Sequence, residues 1–170
     1  MPPRFVKTIE DLIYWEYSLL ICQVAKGKII FPFVTDRWKK LKSKEINIQS
    51  LENDILFQIK YKERSCVYCG SKNNLSFDHI IPKALKGPDS AKNQVLACRS
   101  CNSSKGKQDL YAWFGLSNKN KVPLLTKSIY LKLMLDLHTQ KGTLDAYDLD
   151  GDGKLTVLDL GYILGGSDEA

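Results

Sequence analysis

The sequence predicts an α+β protein, in which a small strand-and-helix core is held by a four-cysteine zinc site and flanked by α-helices. Three observations carry that expectation. Two Cys-x2-Cys pairs enclose the strand-like run LSFDHII. Helical periodicity brackets this segment on both sides. The 170 residues can bury a core, and 44% hydrophobic with 26% charged residues is the composition of an ordinary globular chain.

From the N-terminus, residues 8–26 read as an amphipathic helix, with Ile9, Leu12, Ile13, Leu19, Leu20 and Val24 at near-helical spacing and Gly27 as its stop. Cys22 falls inside it and reads as a small core residue. KIIFPFV looks extended, and Pro32 demotes it to an edge or irregular strand. The basic run RWKKLKSK, which contains Trp38, is either a solvated helix face or a phosphate-contacting one. Residues 51–64 read as a second helix leading into the cysteines. After Cys101, NSSKGKQDLYAWFGL is expected to be largely helical, with Tyr111, Trp113 and Phe114 packing inward. Residues 117–123 form a polar linker, and a third helix covers about 124–138. Three regions follow: 1–64, mainly helical; 65–116, the cysteine-bounded core; and 117–170, a C-terminal helical region.

No apolar run reaches the roughly 18 residues of a membrane helix, and MPPRFVKTIEDL lacks the apolar stretch of a secretory signal, so no membrane and a cytoplasmic location are expected. The net charge of +6 is uneven. Residues 122–170 hold four lysines and eight acids, which leaves 21 bases and 11 acids in residues 1–121. Such a basic body suits a polyanionic partner, because lysine and arginine displace counterions condensed on nucleic acid.

Cys66, Cys69, Cys98 and Cys101 make the two pairs, with 28 residues between them. Each pair sets two thiolates on one tight turn, and two such turns complete a tetrahedral shell for a structural zinc. Gly70 relieves backbone crowding beside the metal. A redox dithiol or merely buried cysteines are the alternatives, and five cysteines, an odd number, argue against a disulfide framework. A closed four-thiolate site has no open coordination position, so any chemistry needs a second metal elsewhere.

Asp78, His79, Asn93, Asn102 and Lys105 lie between and just after the pairs. Asp78 and Asn102 offer hard oxygen donors for a divalent cation, and an imidazole such as that of His79 exchanges protons near neutral pH. Asn102 is expected to open the helix after Cys101, where a positive helix terminus favours phosphate. The plain alternative for Asp78 and His79 is a strand end with polar surface residues. The ordered set CVYCG, FDHIIP, KNQVLACRSCN and SSKGK, residues 66–107, resembles the HNH endonucleases, a family with a ββα-metal, treble-clef-like core and a supporting zinc. The resemblance implies an endonuclease that hydrolyses DNA phosphodiester bonds by a one-metal mechanism. In it His79 is the general base, Asp78 and Asn102 hold the catalytic metal, and Asn93 holds the loop that orients the imidazole. Asn102 stands where many members carry histidine, and its amide oxygen favours Mg2+ or Mn2+. Arg99, Lys105 and Lys107 are candidates for flanking phosphates. The rival expectation is a non-catalytic zinc module that binds nucleic acid on the same scaffold. Because one site nicks one strand, a homodimer is a further possibility.

In DLDGDGKLTVLD, residues 148–159, Asp148, Asp150, Asp152, Thr156 and Asp159 fall at loop positions 1, 3, 5, 9 and 12. Gly153 falls at position 6, and Lys154 offers its carbonyl. The run resembles an EF-hand loop, and its final aspartate is more like that of a dockerin. The resemblance implies a Ca2+ site that fixes the helix LTVLDLGYIL.

Overall fold

The computed structural model describes residues 1–48 and 64–165, with side chains to Tyr162. The helix expected over 51–64 lies almost wholly outside the described residues. The architecture is α+β: helices around one two-stranded antiparallel sheet, with the four cysteines clustered beside it. The chain divides into two compact units, residues 1–49 with 131–163, and residues 50–130 with 164–170.

In the first unit, helix α1 (Ile9–Lys26) is capped by Thr8, whose side chain accepts the N–H of Asp11, and it ends at Gly27 with φ of 67°. Ile9, Leu12, Ile13 and Leu20 are buried as expected, but Val24 is 67% exposed and Tyr14 through Ser18 are buried as well. Helix α1 is therefore covered on most sides rather than along one stripe. Helix α2 (Phe31–Lys42) replaces the strand expected at KIIFPFV. Pro32 sits in its first turn, where the missing N–H leaves no helical bond unmade. The basic run is spent largely within the chain. Lys42 pairs with Glu10 at 2.9 Å and Asp11 at 2.7 Å, Lys40 with Asp36 at 3.2 Å, and Trp38 Nε1 donates to the Asp11 carbonyl at 3.0 Å.

In the second unit, β1 (Leu75–His79) pairs antiparallel with β2 (Gln94–Cys98), Asp78 facing Val95 and His79 facing Gln94. Alternation along the strand puts Asp78 on the covered face with Val95 and Ala97, while Phe77 is 65% exposed. The strand thus hides its acid and shows its aromatic ring. Helix α3 (Arg99–Lys105) follows β2 directly, and helix α4 (Leu110–Phe114) is capped by Asp109. The helical segment expected from 102 onward is broken at Gly106, whose φ of 54° ends α3. Tyr111 is fully buried, but Trp113 and Phe114 are only half-buried. A 3-10 helix, Leu116–Lys121, occupies the expected linker.

Helix α5 (Leu124–Lys141) runs from the second unit into the first. It passes beyond the expected end at 138 and stops before Gly142, with φ of 67°. In the first unit it is followed by the acidic loop and helix α6 (Val157–Gly165). Among the described residues no helix is long and apolar enough to cross a membrane.

Candidate functional site

The site starts from a turn. Cys66 N–H bonds the Ser71 carbonyl at 2.8 Å and Gly70 N–H bonds the Cys66 carbonyl at 2.9 Å. Gly70 takes φ of 78°, a conformation other residues adopt at a cost. Val67 N–H then bonds the Leu96 carbonyl at 2.9 Å, docking this turn on β2. The second cysteine pair begins α3 instead of preceding it. Cys98 is the helix cap, and its Sγ accepts the Cys101 N–H at 3.4 Å. Asn102 consequently lies within α3 rather than opening it.

These two turns bring the Sγ atoms of Cys66, Cys69, Cys98 and Cys101 within 4.8 Å of one another. Burial works to raise the Cys66 thiol, but N–H groups of Cys98, Cys69 and Tyr68 outweigh it and hold the pKa down to about 7. Burial and the neighbouring thiols push Cys101 up. Four soft donors converging in this way can bind zinc, and a cation would remove the crowding of thiols that otherwise have one another as partners.

Asp78 is 5% exposed, and its carboxylate is held on two sides. The Tyr68 hydroxyl donates to Oδ2 at 2.7 Å. Lys105 Nζ reaches Oδ2 at 3.2 Å and Oδ1 at 3.4 Å, and also donates to the His79 carbonyl at 2.7 Å. Lys105 is fully buried, so it supports the strand end from inside and does not offer its ammonium at the surface. Burial lowers the Lys105 pKa, and the Asp78 charge opposes that shift. Burial raises the Tyr68 pKa, with the Asp78 charge adding to the effect.

His79 is half-buried on the other face, with its Nε2 between Asp89 Oδ1 at 3.2 Å and Gln94 Nε2 at 3.4 Å. Lys83 Nζ fixes the second oxygen of Asp89 at 2.8 Å. Hydrogen bonds from Lys83, then from His79, hold the Asp89 carboxyl below its ordinary range. Asp89 is thus a site residue that the sequence reading missed. It lies outside the recognisable motif, and only the fold of the loop after β1 brings it to the imidazole.

Asn93 makes that loop. It is fully buried, its Oδ1 accepts the Ile81 N–H at 2.9 Å, and its Nδ2 donates to the carbonyls of Ile81 at 2.8 Å and Pro88 at 2.9 Å. Its own carbonyl takes the Ile80 N–H at 2.9 Å. Gly87 closes the loop against Ile81, where a Cβ would lie 2.0 Å from the Ile81 carbonyl oxygen. Asn102 is half-buried, with Nδ2 3.4 Å from Ser76 Oγ, two positions before Asp78 on the same strand face. Arg99 and Lys107 are exposed. The structure therefore joins Asp78, the His79 backbone and Lys105 in one contact network, with Asn93 bracing the following loop.

The sequence of this region resembles a known family. Residues 66–108 match the family model for the HNH endonuclease. The match covers the cysteine turns, both strands and α3, and it suggests a nuclease or a zinc-binding nucleic-acid module. No curated protein matches the chain.

The acidic loop lies in the first unit, where carboxylate oxygens of Asp148, Asp150 and Asp152 come within 4.8 Å of one another. Asp148 accepts N–H bonds from Gly151 and Gly153, both at 2.8 Å. Asp159, fully buried, accepts those of Leu149 and Thr156, both at 2.8 Å. Lys154 is exposed, and its N–H goes to Asp152 at 2.7 Å.

Proposed function

We propose that the chain is a metal-dependent DNA endonuclease with a structural zinc at the four cysteines. The observation that carries this reading is the end of β1. There a buried carboxylate, Asp78, braced by Tyr68 and Lys105, adjoins an imidazole, His79, whose Nε2 is held by Asp89. His79 acts as general base. With Nε2–H donated to Asp89, Nδ1 is the nitrogen that takes the proton from a water attacking phosphorus. Asn93 keeps the imidazole in register by bracing the loop behind it. Asp78 and Asn102 would hold a Mg2+ or Mn2+ ion, which would supply positive charge to stabilise the phosphate in the transition state. Arg99 and Lys107 contact flanking phosphates. Lys105 takes a different part from theirs, as the internal cation that holds the Asp78 carboxylate in place.

Double-stranded DNA is the proposed substrate in a cytoplasmic setting, and a homodimer would cut both strands. The loop 148–159 is a Ca2+ site built from Asp148, Asp150, Asp152, Asp159 and the Lys154 carbonyl.

The test is plasmid nicking with Mg2+ or Mn2+. Wild type relaxes supercoiled DNA, and His79→Ala lowers the rate by about 100-fold or more, the scale of a lost general base. The second reading, a zinc module that binds without cutting, is favoured by Lys105 already satisfying Asp78. It prevails if wild type and His79→Ala bind DNA equally and neither nicks it.

A further inference from the structure

One cavity of the second unit shares Tyr68 and Cys101 with the site above, but its open space has no role in that chemistry. It has a volume of about 370 Å3 and is lined by Tyr68, Cys101, Trp113, Phe114, Asn118 and Lys121. That volume lies within the roughly 300–1,000 Å3 of small-ligand sites. Its three rings meet at steep angles. Tyr68 and Trp113 are 4.9 Å apart at 84°, and Trp113 and Phe114 are 5.0 Å apart at 72°. They form walls rather than a closed stack. Two of the walls are anchored, Trp113 by Nε1 to Ser104 Oγ at 3.1 Å and Tyr68 by its hydroxyl to Asp78 at 2.7 Å.

Those anchors say where the cavity leads. Tyr68 joins it to the carboxylate proposed to hold the catalytic metal, and Ser104 is two residues beyond Asn102 on α3. At the rim, Lys121 is exposed and Asn118 half-buried, a cation and an amide beside aromatic surface. A nucleotide has the complementary parts: a flat base for the rings, hydrogen-bonding edges for the amide and a phosphate for the ammonium. A base inside a duplex is already stacked on its neighbours, so only an unpaired one can enter.

We propose that this aromatic cavity is a stacking site for one unpaired nucleobase next to the scissile phosphate, with Lys121 on the adjoining phosphate. The assignment rests on the nuclease reading for its location, and it narrows the substrate to DNA with an extruded or single-stranded nucleotide at the cut.

The test uses the full zinc-loaded chain carrying His79→Ala, so that DNA is bound and not cut. Short single-stranded oligodeoxynucleotides with an abasic position moved one step at a time serve as probes. Loss of the base at one position is expected to weaken binding roughly 5- to 100-fold, the scale of a stacked base, with neighbouring positions nearly silent. Adding Trp113→Ala weakens the intact oligonucleotide by a similar factor and flattens the scan. Lys121→Gln, which leaves the rings in place, reduces the salt slope of binding by about one. The wild-type ring set alone decides the matter should Trp113→Ala fold poorly. Tight binding with a flat abasic scan overturns the cavity assignment and leaves the nuclease reading standing. Failure to bind either single-stranded or duplex DNA overturns both.

Discussion

Among the described residues there are two clusters of metal-type ligands, and they are built on different terms. At the cysteine turns, four Sγ atoms converge within 4.8 Å, with Cys66 and Cys98 buried. Cys69 and Cys98 lie 3.7 Å apart with each other for company. In the acidic loop, the carboxylates of Asp148 and Asp159 are each already satisfied by backbone N–H groups of the same loop. The cysteine turns have backbone bonds of their own, among them Cys101 N–H to Cys98 Sγ at 3.4 Å, but a thiol is a weak acceptor, so an ion bound by all four sulfurs would add most there. The acidic loop has a folded geometry supplied by its own amides, and an ion has less left to do. Clusters that look alike in sequence thus differ in how much of the fold hangs on them.

The largest effect should come from zinc. Chelation, or Cys66→Ser, is expected to unfold the second unit, since structural zinc contributes on the order of 10 kcal/mol in small domains. Far-UV circular dichroism with zinc release read by a colorimetric chelator tests this. An unchanged spectrum after zinc loss would place the cysteine turns on the same footing as the acidic loop.

Asn93 is an intermediate case, a buried side chain that holds a loop with three hydrogen bonds and no metal. Asn93→Ala leaves the Ile81 N–H and carbonyl without their partner and should cost about 2–4 kcal/mol in chemical denaturation. A loss below about 0.5 kcal/mol, the range of an ordinary surface change, would mean the loop is held elsewhere.

For the acidic loop the expectation is smaller. Ca2+ should raise the melting temperature of wild type by a few degrees, and Asp148→Ala should abolish the response. Equal responses in the two proteins would remove the loop as the site of binding.

The smallest effect is a pH dependence at His138, which precedes that loop and bonds the helix that follows it. His138 is fully buried, with Nδ1 at 2.8 Å from Thr143 Oγ1 and Nε2 at 3.0 Å from the Leu160 carbonyl in α6. A carbonyl only accepts, so Nε2 carries a proton, and burial favours the neutral form of the ring. Burial lowers its pKa, the Leu160 carbonyl opposes that, and the unfolded chain therefore binds a proton more readily than the folded one. Stability is full above the ordinary value of 6.5 and falls as pH drops below it towards the lowered folded value. Melting curves between pH 7.5 and 5 should show the decline, and His138→Gln should flatten it. A matching decline in the variant would assign it to other groups.

Much of this was legible in the sequence because spacing alone places the donors. Two Cys-x2-Cys turns predict convergence of four thiols, and the Asp-His pair at the end of an apolar run predicts a strand terminus. Helix α2 was misread because Pro32 excludes a central strand yet equally suits a first helical turn, and local sequence does not choose between these. The burial of Lys105 was hidden for another reason. A lysine in a basic run reads as solvated, and only the covered face of β1, with Asp78 and the His79 carbonyl on it, makes an interior position tolerable. Asp89 and Lys83 sit where no pattern marks them, and their roles come from the loop alone.

Gly87, pressed to the Ile81 carbonyl, has a bearing on how tolerance to substitution should be read in this protein. With His79 as the proposed base, a library covering residues 78–93 and read by activity would find position 87 as intolerant as 79. On that proposal one failure would empty the cell of folded chain, whereas the other would leave it full of idle protein. Abundance measured beside activity separates them, and without it a hydrogen atom's worth of space would pass for a catalytic residue.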